Sequence, residues 1–316
     1  MIIVRRILMS MLLFLGIIYL GLIVYAYFPV NEGVPAETLA TAEDRFIEVD
    51  GMQIRYREWG TRKQGEPAIV LIHGFANTQG TFRALAPALA DDYYVVALDM
   101  PGFGLSDKPD DRDYSNTSQA KLVGDFARAL GLEQYVIGGH SMGGTHAVHV
   151  AINEPEVVGV IFLNPGILTT GVPAATEYFV FPIPRLSAKT FGDREFRKNF
   201  IKTSFIKPEL ITEDVMDELM IGTLTDDYYS GTTQMMSYYV AGDEVGMLDQ
   251  IRVPVLIVWG VQDKNKPQNE STELQKLLPG SQLVLIQDAA HYVHEEAPQE
   301  SAAAIIEAKD SWAQRR

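Results

Sequence analysis

The chain has 316 residues, of which 47% are hydrophobic, and its formal net charge is −15. This length suffices for one large folded domain with an added segment. The acidic balance argues against nucleic acid as a partner and against general attraction to anionic membranes, and the absence of cysteine excludes disulfide bonds.

The N-terminus predicts a membrane anchor. Ile7 to Phe28 is a run of 22 residues without a charged side chain, and at about 1.5 Å per residue it spans a hydrocarbon core of about 30 Å. Arg5 and Arg6 precede it, so the positive-inside rule places the rest of the chain on the non-cytoplasmic side, which would be the periplasmic face of a bacterial inner membrane. The alternative is a cleaved signal peptide and secretion, although the nearest cleavage-like site, Ala40-Thr41-Ala42, lies far downstream.

The pattern after the anchor predicts a tether and an α/β core. Residues 1–28 form the anchor, and residues 29–44 read as a short tether. Arg45–Val49 and Gln53–Trp59 flank Asp50-Gly51, which predicts a hairpin. Strand and helix signals then alternate through residue 166, and this alternation predicts a mostly parallel sheet with helices on both faces. Active sites in such sheets lie at the carboxyl ends of the strands.

One pentapeptide in this first part of the core, residues 45–166, suggests a catalytic nucleophile. Gly139 to Gly143 reads G-x-S-x-G and lies between a short apolar strand and an apolar helix. A serine on a tight strand-to-helix turn exposes its hydroxyl at the top of the sheet, and the glycines let the backbone cross closely there. Ser141 is therefore the candidate nucleophile; the alternative is a glycine-rich packing turn.

A nucleophilic serine requires a general base, and His291 is the best candidate. It follows the strand 282–286 through a short loop and therefore lies at a carboxyl strand end. His294 is a nearby second candidate. His146 and His149 have an H-x-x-H spacing, but no third ligand accompanies them, so no metal site is predicted.

The acid that orients the base is predicted to be Asp263. It follows the strand 255–259 and lies between Ser141 and His291 in the sequence. Its alternative role is an Asx turn before Pro267. The position after another strand, 160–163, is Asn164, whose amide cannot carry the charge that stabilises an imidazolium.

The alternation of strands and helices breaks between residues 167 and 248, which predicts a helical cap before the core resumes at residues 249–316. Aromatic and methionine side chains there are expected to line an apolar acyl pocket. Basic residues in the cap form either a solvated helix face or a contact with lipid headgroups. The tentative substrate-binding residues are Phe179, Phe181, Met235 and Tyr239, and the basic residues are Arg194, Arg197, Lys198, Lys202 and Lys207.

Several motifs, taken together, resemble those of serine hydrolases of the α/β-hydrolase superfamily over about Arg45 to Trp312. They are the His73-Gly74-Phe75 loop, the D-x-P-G-x-G-x-S turn from Asp99 to Ser106, Gly139 to Gly143, Trp259 to Asp263, and Ala290 to Pro298. The resemblance implies that the backbone N–H groups of Phe75 and Met142 form an oxyanion hole. It also implies that His73, Asp99 and Ser106 hold loops and turns in place.

A serine at the elbow separates this chain from haloalkane dehalogenases and epoxide hydrolases of the superfamily, which carry aspartate there. The chain looks similar to membrane-anchored monoacylglycerol lipases and to bacterial lipases and esterases. We therefore expect hydrolysis of carboxylic esters, in particular lipid esters such as monoacylglycerols, through an acyl-enzyme on Ser141 and without a cofactor or metal. The alternatives are a thioesterase or amidase, a cofactor-free haloperoxidase, and a non-catalytic binding protein on the same fold.

Overall fold

The computed structural model describes residues 2–28, 32–173, 176 and 180–313, and its core is one sheet. The strands are β1 (Arg45–Val49), β2 (Met52–Trp59), β3 (Ala68–Ile72), β4 (Val95–Leu98), β5 (Tyr135–His140), β6 (Val157–Leu163), β7 (Val255–Gly260) and β8 (Gln282–Ile286). Their order is β1-β2-β4-β3-β5-β6-β7-β8. Strand β2 is antiparallel to β1 and β4, and all other neighbours are parallel. The predicted mostly parallel sheet is confirmed.

Helices cover both faces of this sheet. The helices in the described part of the chain are α1 (Ile2–Tyr27), α2 (Leu85–Leu89), α3 (Asn116–Ala129), α4 (Met142–Asn153), α5 (Ile183–Phe191), α6 (Arg194–Lys202), α7 (Glu213–Met220), α8 (Tyr228–Ser237), α9 (Asn269–Leu277), α10 (Val293–Glu296), α11 (Pro298–Glu307) and α12 (Lys309–Ala313), of which α1 and the helices α5 to α8 do not belong to the layers on the sheet. Val70 and Ile72 of β3 pack with α3 and α4, whereas Ile69 and Leu71 pack with α2 and α11. Because both faces are buried, β3 is a continuous apolar run.

The segment between β6 and β7 lies over the carboxyl ends of the strands. Its described residues form α5 to α8 together with short 3₁₀ turns. The ring of Phe205 stacks on Tyr292 with 4.4 Å between centroids, and the carbonyl of Ser204 accepts a hydrogen bond from the His291 N–H at 3.2 Å. The segment therefore contacts the loop that follows β8. The limits of the predicted cap, residues 167 and 248, remain a prediction.

Helix α1 is apolar and almost entirely exposed, and by length and composition it could cross a membrane. It begins at Ile2, earlier than the predicted run. Two basic side chains of α5 hold its C-terminal end: Arg185 Nε donates to the Ala26 carbonyl at 3.3 Å, and Lys189 Nζ donates to the Phe28 carbonyl at 2.8 Å. Cations at a helix C-terminus satisfy carbonyl groups that lack intrahelical partners.

A buried arginine joins the core to α7. The side chain of Arg55 on β2 is fully buried. Its guanidinium lies 2.8 Å from Asp44, 3.1 Å from Asp99 and 2.7 Å from Glu218 of α7. Burial alone would lower the pKa of Arg55, but the carboxylates of Asp99, Glu218 and Asp44 outweigh burial and raise it. The cluster therefore fixes the tether, the sheet and α7 to one another.

We expect Arg55→Met to lower the free energy of unfolding by about 3–5 kcal/mol, because it leaves the fully buried Asp99 carboxylate without its ion-pair partner. Asp44 retains its ion pair with Arg57 at 2.7 Å. Urea denaturation of the full chain in detergent micelles measures the change. The matched control is Lys121→Met, which removes an exposed ion pair with Asp125 and should cost less than about 1 kcal/mol. A loss for Arg55→Met no larger than that of the control would contradict the interpretation.

Candidate active site

Ser141 lies on a strained turn between β5 and α4. Its φ of 51° and ψ of −116° fall where a residue with a side chain is rarely found. The flanking glycines are required by space: a Cβ at Gly139 would lie 2.2 Å from the Gly143 carbonyl oxygen, and one at Gly143 would lie 2.2 Å from the Ile72 carbonyl oxygen. The close packing of β3, β5 and α4 therefore keeps the turn sharp enough to project the serine hydroxyl.

The structure brings together three residues that the sequence predicts from three separate strand ends. His291 Nε2 lies 3.0 Å from Ser141 Oγ, and His291 Nδ1 lies 2.7 Å from Asp263 Oδ2. Asp263 and His291 are both buried. This arrangement can carry a proton from the serine to the imidazole and stabilise the charged ring that results.

Hydrogen bonds hold the Asp263 carboxylate in its charged form. Oδ2 also accepts from Asn164 Nδ2 at 2.9 Å, while Oδ1 accepts from the backbone N–H groups of Asn265 at 2.8 Å and Lys266 at 3.0 Å. Burial alone would raise the pKa of Asp263. The bonds from His291, Lys266 and Asn265 outweigh burial and keep that pKa below its ordinary value of 3.8.

Two backbone N–H groups beside the serine are free to bind an anionic oxygen. Phe75 follows β3 and lines the same cavity as Ser141, and Met142 is the first residue of α4. Within the part of the chain that the structure describes, neither N–H has an acceptor. A helix N-terminus also favours negative charge. These are the two groups that the resemblance implies for an oxyanion hole.

The remaining histidines of this region, His140, His294 and His73, are buried, and burial lowers the pKa of each. His140 Nε2 lies 3.1 Å from the His291 carbonyl oxygen, and burial holds the pKa of His140 well below 6.5. His294, the second candidate base, has its Nε2 2.9 Å from Thr81 Oγ1, away from the serine. His73 Nε2 accepts from the Met100 N–H at 3.0 Å. Sequence reasoning gave His140 no role, but the structure ties it to the backbone of the base.

The H-x-x-H pair on α4 serves a different purpose. Burial lowers the pKa of His146 to about 3, and His149 Nε2 lies 3.0 Å from Glu244 Oε1. In the described ranges no group of three potential ligands is close enough to hold a metal ion. Glu244 also accepts from Asn116 Nδ2 at 2.8 Å, so His149 belongs to a hydrogen-bonded cluster, whereas His146 Nδ1 has no hydrogen-bond partner among the described residues.

A carboxylate that sequence reasoning missed supports the base loop. Glu296 Oε2 accepts from the Ala290 N–H at 2.7 Å, and Oε1 accepts from the N–H groups of Ile206 at 2.7 Å and Lys207 at 2.8 Å. Glu296 therefore joins the helical segment to the loop that carries His291. Only its position within the Ala290 to Pro298 motif could have drawn attention to it.

The serine opens into a cavity of about 270 Å³. Tyr239 lines this cavity and stacks on Phe75 with 4.3 Å between centroids, and Met235 lies buried in an adjoining cavity beside Met142. The structure does not bring Phe181 to the serine: its ring is 53% exposed and packs 6.0 Å from Tyr27 of α1. Phe179, the fourth tentative substrate-binding residue, lies outside the described residues.

Comparison with known proteins agrees with this fold. The sequence profile of the alpha/beta hydrolase fold matches residues 67–298. An uncharacterized hydrolase of Bacillus subtilis, YugF, is 29% identical over 82% of this chain and 95% of its own length. Lipase 1 of Psychrobacter immobilis is 25% identical over 75% of each chain. The crystal structure of a membrane phospholipase A, a bacterial virulence factor, superposes with a TM-score of 0.70 at 23% identity, over 99% of this chain and 100% of that one. The chain therefore belongs to the alpha/beta hydrolase family.

Proposed function

We propose that the protein is a serine hydrolase that cleaves carboxylic esters, with lipid esters such as monoacylglycerols as substrates. The observation that carries this proposal is the position of His291, which lies within hydrogen-bond distance of both Ser141 Oγ and Asp263 Oδ2. A binding protein without catalytic activity would not require all three groups in this order.

The proposed reaction is acyl transfer to water in two steps. His291 Nε2 takes the proton from Ser141 Oγ as the oxygen attacks the ester carbonyl, and the N–H groups of Phe75 and Met142 bind the oxyanion. The C–O bond of the ester then breaks, and His291 protonates the leaving alcohol. Water, deprotonated by His291, attacks the acyl-enzyme and releases the acid. Asp263 holds His291 in the required tautomer throughout.

Aromatic and methionine side chains support an acyl substrate. Phe75, Phe200 and Tyr239 line the serine cavity, and Met235 lines the adjoining one. Flexible methionine and flat rings accommodate hydrocarbon chains without a polar partner. The names of two similar proteins, a lipase and a membrane phospholipase A, support a lipid ester. We infer that the segment between β6 and β7 acts as the cap over this pocket.

We also propose that α1 anchors the protein, with the hydrolase domain on the non-cytoplasmic side of a bacterial inner membrane. Arg5 and Arg6 at the start of α1 support the proposed side through the positive-inside rule. The contacts of Arg185 and Lys189 with the other end of α1 hold α5 against the helix end, which supports a domain attached directly to the anchor. The Arg185 guanidinium also lies 5.0 Å from the centroid of the Tyr27 ring. Tyrosine and basic side chains are typical of the membrane–water interface.

Deleting residues 2–28 should move the protein from the carbonate-washed membrane fraction to the soluble fraction, because it removes the apolar run. Intact-mass measurement of the full chain checks the alternative, since a lower mass and a soluble product would indicate signal cleavage.

The side of the membrane is tested with a cysteine label. The chain has no cysteine, so Ser237→Cys provides a single exposed label. Reaction of that cysteine with an impermeant maleimide on intact spheroplasts is expected; no reaction until lysis would contradict the proposed side.

The proposed activity is tested with p-nitrophenyl esters and monoacylglycerols of increasing acyl length, using the full chain in detergent micelles. Hydrolysis that increases from short to longer chains supports a lipid esterase. Matched thioesters, amides and a halogenation assay measure the alternative chemistries. Labelling of Ser141 by a fluorophosphonate probe distinguishes an enzyme from a binding protein. Failure of every ester together with absence of labelling would overturn the proposal.

A further inference from the structure

A lysine is buried in the same cavity as the serine. Lys266 is 2% exposed, and it lines the cavity together with Ser141 and His291. Among the described residues that line this cavity it is the only lysine or arginine. The reaction proposed above gives its ammonium group no task, so a buried cation in the wall of the cavity that holds the nucleophile needs a separate explanation.

Among the described residues, the Lys266 ammonium has one hydrogen-bond partner and no carboxylate at ion-pair distance. Nζ donates to the Thr169 carbonyl oxygen at 2.6 Å, and in the described chain it forms no ion pair. The nearest carboxylates are engaged elsewhere, because Asp263 binds His291 and Glu270 accepts from the hydroxyl and the N–H of Thr169 at 2.6 and 3.2 Å. An ammonium has three N–H donors, so the carbonyl leaves two of them for another acceptor.

A purely structural role does not explain this lysine. Glu270 already joins the loop after β6 to the start of α9 through its two bonds to Thr169. A neutral side chain could bind the Thr169 carbonyl at a lower cost, because a buried charge without a counter-ion is unfavourable. In a chain with a net charge of −15, carboxylate partners are abundant, yet Lys266 pairs with none of the described ones.

We propose that Lys266 binds an anionic group of the substrate, so that the ester cleaved at Ser141 carries a phosphate or a carboxylate near the scissile bond. The anion supplies the counter-ion that the protein omits and fills the remaining N–H donors of the ammonium. This inference rests on the proposed ester hydrolysis and narrows it: a neutral monoacylglycerol would be a poorer substrate than an ester lipid with an anionic head.

The test compares three lauroyl or lauryl esters in micelles of the full-length protein: lauroylglycerol, lauroyl-lysophosphatidylglycerol and monolauryl succinate. For the wild type we expect kcat/KM for at least one anionic ester to exceed that for lauroylglycerol by about tenfold, the worth of one charge-assisted hydrogen bond. Preference for the phospholipid identifies a phosphate site, and preference for the succinate identifies a carboxylate site. Equal rates for all three esters would overturn the inference.

Substitutions in the loop of Lys266 test whether this residue causes the preference for anionic esters. Lys266→Met should lower the ratio of anionic to neutral kcat/KM by about tenfold, whereas Lys266→Arg should retain part of it. The matched control is Lys264→Met, since Lys264 is exposed in the same loop and should leave the ratio unchanged. If Lys266→Met does not fold, Lys266→Gln replaces it. An unchanged ratio in the folded variant would assign Lys266 a structural role alone.

A binding measurement separates this inference from the proposed catalysis. Ser141→Ala protein is titrated with an ether analogue of lysophosphatidylglycerol, which cannot be hydrolysed, and with the matching ether of glycerol. Tighter binding of the anionic ether that is lost on adding Lys266→Met supports the inference even if no ester is cleaved. Equal kcat/KM for the anionic and neutral esters, together with equal binding of both ethers, overturns the inference but leaves the proposed ester hydrolysis intact.

Discussion

Ser141→Ala is expected to lower kcat for ester hydrolysis by about 10⁴-fold or more. The variant removes the hydroxyl oxygen that lies 3.0 Å from His291 Nε2 and that we propose as the nucleophile, while the N–H groups of Phe75 and Met142 remain. Residual hydrolysis then comes from water bound beside the base and from oxyanion stabilisation alone. Release of p-nitrophenol from the purified variant, measured at saturating substrate, gives the ratio directly.

The control for this variant is Ser237→Ala, which removes an exposed hydroxyl from the last turn of α8 and should leave kcat within about twofold. Equal melting temperatures for both variants and the wild type show that folding is intact. Alanine carries a Cβ as serine does, so the strain at the positive φ of position 141 is the same for both residues. No change in the turn is therefore expected. A Ser141→Ala protein with more than a tenth of wild-type kcat would exclude Ser141 as the nucleophile.

The parts of the site that the sequence predicts are those built from local patterns. Ser141, Asp263 and His291 each follow a short apolar strand, and parallel strands end at one edge of a sheet. The strand assignments and the order of the strands in the chain are therefore sufficient to predict that the three residues lie close together. The glycine spacing around Ser141 carried the same information, because Gly139 and Gly143 have no room for a Cβ.

The parts that the sequence missed depend on contacts between distant segments. Asn164 was set aside because an amide cannot act as the acid, yet its Nδ2 donates to Asp263. Glu296 ends the short helix α10 and Lys266 lies in the loop after β7, and no periodic pattern in the sequence marks either charged residue as buried. Phe181 was predicted to contact substrate from its apolar neighbourhood, but the end of α1 offers the same apolar surroundings.

The helical segment between β6 and β7 contacts both the proposed membrane anchor and the loop that carries the proposed base. Its helix α5 holds the end of α1 through Arg185 and Lys189. Its Ser204 accepts from the His291 N–H, and its backbone at Ile206 donates to Glu296. The segment is therefore bound both to the apolar helix and to the base loop. Removing it would disturb His291 as well as the pocket, so single substitutions test the proposed mechanism better than deletion of the segment.

Asp263→Asn is expected to lower kcat by about 10³- to 10⁴-fold, because both carboxylate oxygens of Asp263 accept hydrogen bonds. One oxygen faces His291 and Asn164, and the other faces the N–H groups of Asn265 and Lys266. Either orientation of an asparagine amide therefore points its NH₂ at a donor. An NH₂ toward His291 selects the tautomer with a proton on Nε2, which cannot take the proton from Ser141.

The pH dependence distinguishes this role from a structural one. Since the pKa of Asp263 lies below its ordinary value of 3.8 in the folded protein, its charge adds stability at pH values above about 3.8, and that stability is lost as the pH falls through the lowered pKa. The melting temperatures of wild type and Asp263→Asn should therefore converge only in strong acid. The kcat deficit should persist across neutral pH, since the amide does not titrate.

Asp111→Asn, a change at an exposed turn, is the matched control and should leave kcat within about twofold. If Asp263→Asn keeps kcat within tenfold of the wild type at neutral pH, Asp263 is not the residue that orients His291. The other position that the sequence offers for the acid follows β6, and the residue there is Asn164, which has no carboxylate. In the described structure Asp263 is the carboxylate that lies 2.7 Å from His291 Nδ1, so a variant Asp263→Asn with nearly full activity would contradict the proposed triad.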